Sequence, residues 1–154
     1  MGYKLVRITE PNQDFEKLVE ELDKYLEVTD EDEHNFYDQF NSIEALNTIV
    51  IAYTDNRAVG CGAFKEYDAT SVEIKRMFVS PSERGTGLAR LILKELEHWA
   101  KESGYEKCKL ETGKRQKEAV KFYQKCQYKI IPLYDQYIGM ENSLCFEKQL
   151  NDIK

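Results

Sequence analysis

Residues 72–99 read VEIKRMFVSPSERGTGLARLILKELEHW. They describe a strand, a short glycine turn and an amphipathic helix, in that order. Val72, Ile74, Phe78 and Val79 supply the β-branched and aromatic bias of a buried strand. Ser80-Pro81-Ser82 ends it, because proline has no N–H for the ladder. Arg84-Gly85-Thr86-Gly87-Leu88-Ala89 then opens a helix whose apolar residues fall at Leu88, Leu91, Ile92, Leu96 and Trp99. That is helical spacing, with charges on the opposite face. A glycine turn at a helix start presents N–H groups and the positive end of the helix dipole, a combination that binds phosphate. Arg84 adds a fixed positive charge beside it.

The turn is not a Walker loop, since no Gly-Lys-Ser/Thr follows, and it lacks the third glycine of the dinucleotide fingerprint. A tight turn needing two glycines would look the same in isolation, but the flanking strand, proline and helix say more. The arrangement resembles the acyl-CoA-binding motif of the GCN5-related N-acetyltransferase (GNAT) superfamily. That motif is Arg or Gln, two residues, Gly, one residue, then Gly or Ala. Arg84, Gly87 and Ala89 meet it, with Gly85 as a common extra.

Length and composition set bounds. The chain has 154 residues and a net charge of −6, enough for a real core and expected to form one domain over residues 1–154. Its acidity argues against nucleic-acid binding and is compatible with a cationic substrate. The N-terminus has no apolar signal core, and no run approaches transmembrane length, so a cytoplasmic protein with no membrane partner is expected. Met1-Gly2 begins like a myristoylation signal, but Val6 stands where Ser or Thr is needed. The four cysteines, Cys61, Cys108, Cys126 and Cys145, have neither metal-ligand nor redox spacing, and only His34 and His98 could join them. No metal site is expected, and three of these thiols lie in strand-like runs that suit buried free cysteines.

Outside the glycine turn, Tyr3 to Thr9 alternates as a first strand, and Asn12 is a candidate cap for a helix carrying Phe15, Leu18, Val19, Leu22 and Leu26. Asp30 to Phe40 reads as a second short helix or ordered loop. Ile49 to Tyr53 and Ala58 to Lys65 read as strands of a hairpin turning near Asp55-Asn56-Arg57. After the long helix come a strand at Cys108–Thr112, a helix over Gln116 to Cys126, and closing strands at 129–131 and 143–146. The order β-α-α-β-β-β-α-β-α-β-β matches the GNAT acyltransferase fold. The resemblance therefore implies a mixed α/β protein, with a twisted mixed sheet flanked by helices on both faces.

It also implies a reaction and its residues. Acetyl-CoA is the expected acetyl donor, and a primary amine, leaning toward a small cationic one, is the expected acceptor in a direct ternary complex without an acyl-enzyme. Arg84, Gly85, Thr86, Gly87, Leu88 and Ala89 would hold the pyrophosphate. Met77, Phe78 and Val79 would supply the strand along which pantetheine lies. Gln116, Ala119, Phe122 and Tyr123 follow the family's Asn-x-x-Ala-x-x-aromatic-Tyr pattern, with Gln116 in place of Asn. Tyr123 is then the candidate acid, since its ordinary pKa of ~10 suits protonating a thiolate. The family's Gly-aromatic pair after that helix is here Gln127-Tyr128, a departure that bears on the local turn. Glu73 stands eleven residues before Arg84, where family members that use a glutamate base place it.

In a regular strand Glu73, Lys75, Met77 and Val79 share one face. Four residues span about 13 Å, so Glu73 is expected to reach the amine through water unless a bulge intervenes. His34 and Tyr37, in the acidic stretch before the second strand, are candidate acceptor-binding residues, and His34 is a second candidate base. The run Tyr134 to Phe146 is a candidate for the other wall of the acceptor site. A non-catalytic acyl-CoA-binding regulatory module on the same fold is the alternative, and either a monomer or a homodimer is compatible.

Overall fold

The computed structural model describes residues 2–30 and 43–153. Its elements run β1 (Lys4–Ile8), α1 (Gln13–Asp30), β2 (Ile49–Thr54), β3 (Arg57–Glu66), β4 (Ser71–Val79), α2 (Leu88–Glu102), β5 (Lys107–Gly113), α3 (Lys117–Lys125), β6 (Lys129–Ile131) and β7 (Ser143–Gln149). Every strand read from the sequence is present. The short helix or ordered loop expected from Asp30 to Phe40, with His34 and Tyr37, falls beyond Asp30 outside the described residues.

Local signals account for the element ends. The Asn12 side chain accepts from the Phe15 N–H at 2.9 Å and caps α1. The β2–β3 hairpin turns on Asp55 and Asn56, both at positive φ (50° and 63°), the two-residue turn whose twist suits antiparallel strands. Gln127 stands at φ 74° just after α3, the left-handed position that glycine usually fills. The Tyr128 N–H still reaches back to the Tyr123 carbonyl at 3.0 Å. The glycine is lost here, but the turn it would have made is kept.

The sheet has seven strands in the order β1-β2-β3-β4-β5-β7-β6. Among the described residues only β4 and β5 run parallel, and α2 is their crossover. On one face, Phe15, Leu18, Val19 and Leu22 of α1 pack on Ile49, Ile51, Cys61 and Phe78. On the other, Leu88, Ile92, Leu93 and Leu96 of α2 join Tyr123 and Cys126 from α3 over Val50, Val72, Ile74 and Phe146. Helices thus cover both faces, as expected. The buried stripe of α2 is rotated from the sequence reading: Leu93 and Ala100 are buried, whereas Leu91 is 44% exposed. Glu97 also lies inside the stripe, held by the Tyr128 hydroxyl at 2.8 Å and Lys148 at 3.1 Å, so a charged residue occupies a core position.

All four cysteines are free and buried. Among the described residues no helix is long and apolar enough to cross a membrane, and no group of side chains could hold a metal ion.

Candidate active site

The sheet opens where β4 and β5 part. Their parallel pairing runs through Ser71↔Lys107, Val72↔Cys108 and Glu73↔Lys109 and ends there, although β4 continues to Val79 and β5 to Gly113. A cavity of about 430 Å³ fills the gap, walled by Met77 and Val79 on β4, Leu110 and Thr112 on β5, and Ala119 and Tyr123 on α3.

A bulge in β4 causes the divergence. Arg76 has φ 58°, and the pairing with β3 jumps from Ala63↔Lys75 to Cys61↔Phe78. The extra residue bends the strand and reverses which side each later residue faces. This corrects the sequence reading that Glu73, Lys75, Met77 and Val79 share a face. Met77 and Val79 pack with Val72 and Ile74 beneath α2, while Phe78 lies on the α1 face. The Ser80 N–H donates to the Val59 carbonyl at 2.8 Å. Strand alternation then turns the N–H groups of Val79 and Met77 away from β3 and toward the cleft.

The glycine turn closes one end of this cleft. After a 3-10 turn at Pro81–Glu83, Gly85 and Gly87 take φ 80° and 89°, and Gly87 caps α2 with no side-chain hydrogen bond to its first turn. Left-handed φ is the reason for glycine at both positions. Thr86 braces the turn by donating to the Glu83 carbonyl (2.7 Å) and accepting from the Tyr3 hydroxyl (3.0 Å). Leu88 is buried as the helix's first anchor, and Ala89 lines the cleft. The Arg84 Nε donates to the Val79 carbonyl at 3.0 Å, and its guanidinium lies between the Tyr25 and Phe78 rings, 5.3 and 5.6 Å from their centroids. A cation is thereby held at the cleft mouth.

Tyr123 projects from α3 into the cleft wall, its ring edge-on to Phe122 and Tyr128. Burial pushes its pKa up, so it is a protonated donor at neutral pH. Gln116 is buried at the start of α3 and also lines the cleft.

Charge gathers at the other end. Glu73 is 2% exposed, and its carboxylate accepts from the Tyr134 hydroxyl at 2.8 Å and the Tyr137 hydroxyl at 3.5 Å. Lys75 lies 3.3 Å from the same carboxylate and donates to Tyr137 at 3.1 Å. Burial lowers the Lys75 pKa, with the Glu73 charge acting against it. Lys75 and Tyr137 line the cleft and Glu73 does not.

The family described as Acetyltransferase (GNAT) family matches residues 15–128. The chain belongs to the GNAT acetyltransferase family. An Azospirillum brasilense protein named IAA acetyltransferase is 32% identical over 111 residues, 71% of this chain and 72% of that protein. A Klebsiella pneumoniae structure of the acyl-CoA N-acyltransferase class superposes with a TM-score of 0.80 at 26% identity, covering 96% of this chain and 97% of its own. The PaiA N-acetyltransferase of Thermoplasma acidophilum, solved with coenzyme A, superposes at 0.75 and 18% identity over 97% and 99% of the two chains.

This GNAT cleft thus gathers Met77, Phe78, Val79, Arg84, Ala89, Gln116 and Tyr123 around one cavity. It sets Glu73 one layer behind. Sequence reasoning missed Glu111 and Lys75, while Tyr137 lies within the Tyr134–Phe146 run expected to wall the acceptor site. Glu111 lines the cleft and accepts from the Ser143 hydroxyl at 2.7 Å. The available signal was an acid inside an otherwise alternating strand, on the same side as Lys109. Lys75 and Tyr137 carried no motif, because only the bulge and the turn before β7 bring them together.

Proposed function

We propose that this GNAT enzyme transfers an acetyl group from acetyl-CoA to the primary amine of a small acceptor, by direct attack in a ternary complex. The observation that carries this reading is a cleft with a bare helix N-terminus at its mouth, strand N–H groups along its wall and a protonated tyrosine inside it. Gly87 brings no side chain of its own to cap the first turn of α2, whose N–H groups suit a pyrophosphate, with Arg84 alongside. The N–H groups of Met77 and Val79 suit the thioester carbonyl and the pantetheine amides. Coenzyme A bound to the PaiA N-acetyltransferase, on the same fold, supports the assignment.

The residues divide the chemistry. Tyr123 donates a proton to the departing sulfur. Met77 and its neighbours offer donors to the carbonyl oxygen as it gains charge. Glu73 is the final acceptor of the ammonium proton, which must leave before nitrogen can attack. The acidic segment that includes His34 and Tyr37 favours a cationic acceptor, and four free buried thiols favour a cytoplasmic setting.

Thiol release from acetyl-CoA, measured across polyamines, amino acids and lysine peptides, tests this reading. An amine-dependent rate that falls at least about tenfold in Tyr123→Phe is expected. Tight acetyl-CoA binding with no amine-dependent turnover would instead make the chain a regulatory acyl-CoA-binding module.

A further inference from the structure

We propose that Tyr137 is the proton relay between the acceptor amine and Glu73, with Lys75 positioning that carboxylate. This rests on the acetyl-transfer reading above and assigns the residue that touches the amine. Glu73 is 2% exposed and does not line the cleft, so it cannot meet the amine directly. Tyr137 does line the cleft, and its hydroxyl lies 3.5 Å from Glu73 Oε2. No other tyrosine on the cleft wall hydrogen-bonds to that carboxylate among the described residues: Tyr134, its closer partner, stands outside the wall. The water expected from strand geometry is therefore replaced by a fixed phenol.

The step balances. The ammonium N–H bond breaks and its proton passes to the Tyr137 oxygen as the Tyr137 proton passes to Glu73 Oε2. The relay leaves no tyrosinate behind, which matters because burial and the nearby Glu73 charge push the Tyr137 pKa up. The freed nitrogen lone pair then forms the N–C bond while the C–S bond breaks, and Tyr123 supplies the sulfur proton. The second nitrogen proton restores Tyr123, and Glu73 returns its own to solvent.

Charged groups from three strands surround Glu73. Lys75 sits 3.3 Å away on its own strand. Lys65 on β3 and Lys109 on β5 occupy the register positions on either side. Tyr134 donates at 2.8 Å. The opposing groups are Glu111 on β5 and the Cys145 thiol on β7, both near Tyr137. Glu111 also lines the cleft, which makes it the competing proton acceptor.

A comparison of two nucleophiles isolates the relay. The amine giving the fastest thiol release in the panel arrives as an ammonium and needs a proton acceptor. Hydroxylamine is already unprotonated at neutral pH and does not. Tyr137→Phe is expected to lower the rate with the ammonium acceptor at least about tenfold more than the rate with hydroxylamine, and to regain rate as pH rises toward the amine's own pKa. Lys75→Met is expected to lower the rate with the ammonium acceptor more than the rate with hydroxylamine, because Glu73 and Tyr137 lose the cation that holds them together.

Equal losses on both nucleophiles would reduce Tyr137 to a structural role and overturn the proposal. So would a Tyr137→Phe enzyme with wild-type rates, or a nucleophile-selective loss found in Glu111→Gln instead. Equal losses on both nucleophiles in Lys75→Met would remove Lys75 from the device. A wild-type protein inactive on every amine would sink the transferase reading itself, a result distinct from all of these.

Discussion

The two ends of the β4–β5 cleft are built in different ways. The end near α2 is made of backbone: positive-φ glycines, a bare helix start and strand N–H groups. The end near Tyr137 is made of side chains: Glu73, Lys75, Tyr134 and Tyr137, held by hydrogen bonds of 2.8 to 3.5 Å. Backbone sites need particular conformations and tolerate many side chains. Side-chain sites need particular residues and tolerate many backbones. A shared donor such as acetyl-CoA suits the first construction, and a variable acceptor suits the second.

This contrast can be broken by substitution. The largest effect is expected at Gly62, where an added Cβ would lie 2.6 Å from Met77 Sδ and 2.8 Å from Leu96 Cδ1. Gly62→Val is expected to cost about 3 kcal/mol by overpacking. At roughly 2–4 °C per kcal/mol for a chain of this size, calorimetry would show a fall in Tm of about 6–12 °C. Because Met77 forms the cleft wall, weaker acetyl-CoA binding is expected as well. Loss of stability with binding intact would show that the strand wall contributes little to the donor site.

Tyr134→Phe comes next. It removes the closest donor to a buried carboxylate and is expected to cost about 2 kcal/mol in denaturant titrations. The acetyl-CoA Kd is expected to stay within about twofold. A large change in that Kd would mean the two ends are coupled rather than separate. The smallest effect is expected at Gln127, whose φ of 74° favours glycine. Gln127→Gly is expected to stabilise by about 0.5–1 kcal/mol, read as a shift in the denaturation midpoint with catalysis unchanged.

The same division explains what was legible in the sequence. The strand, glycine turn and helix of residues 72–99 are contiguous, so the architecture of the cleft's α2 end could be read directly. The periodicities of Phe15–Leu22 and the Asp55-Asn56 turn likewise carried α1 and the β2–β3 hairpin. The bulge at Arg76 left no local mark, since arginine is not a residue that announces positive φ. Without it, the face of Met77 and Val79 could not be assigned correctly. Lys75 and Tyr137 are 62 positions apart and meet only in the folded sheet. Glu97 was misread for a related reason: its burial depends on Lys148, a distant partner that helical spacing does not reveal.

The short seam between β4 and β5 has a further consequence. A continuous sheet has two edges, but one that stops pairing after three residue pairs has four. The outer two are guarded in familiar ways, β6 by its three-residue length and β1 by Lys4 and Arg7. The inner two lie recessed beneath α2 and α3, beyond the reach of another chain's strand. A molecule slender enough to enter that recess acts as a missing strand, joining the β1–β4 block to the β5–β7 block. Its occupancy then becomes part of the protein's cohesion, about 2.7 kcal/mol at a hundred times Kd.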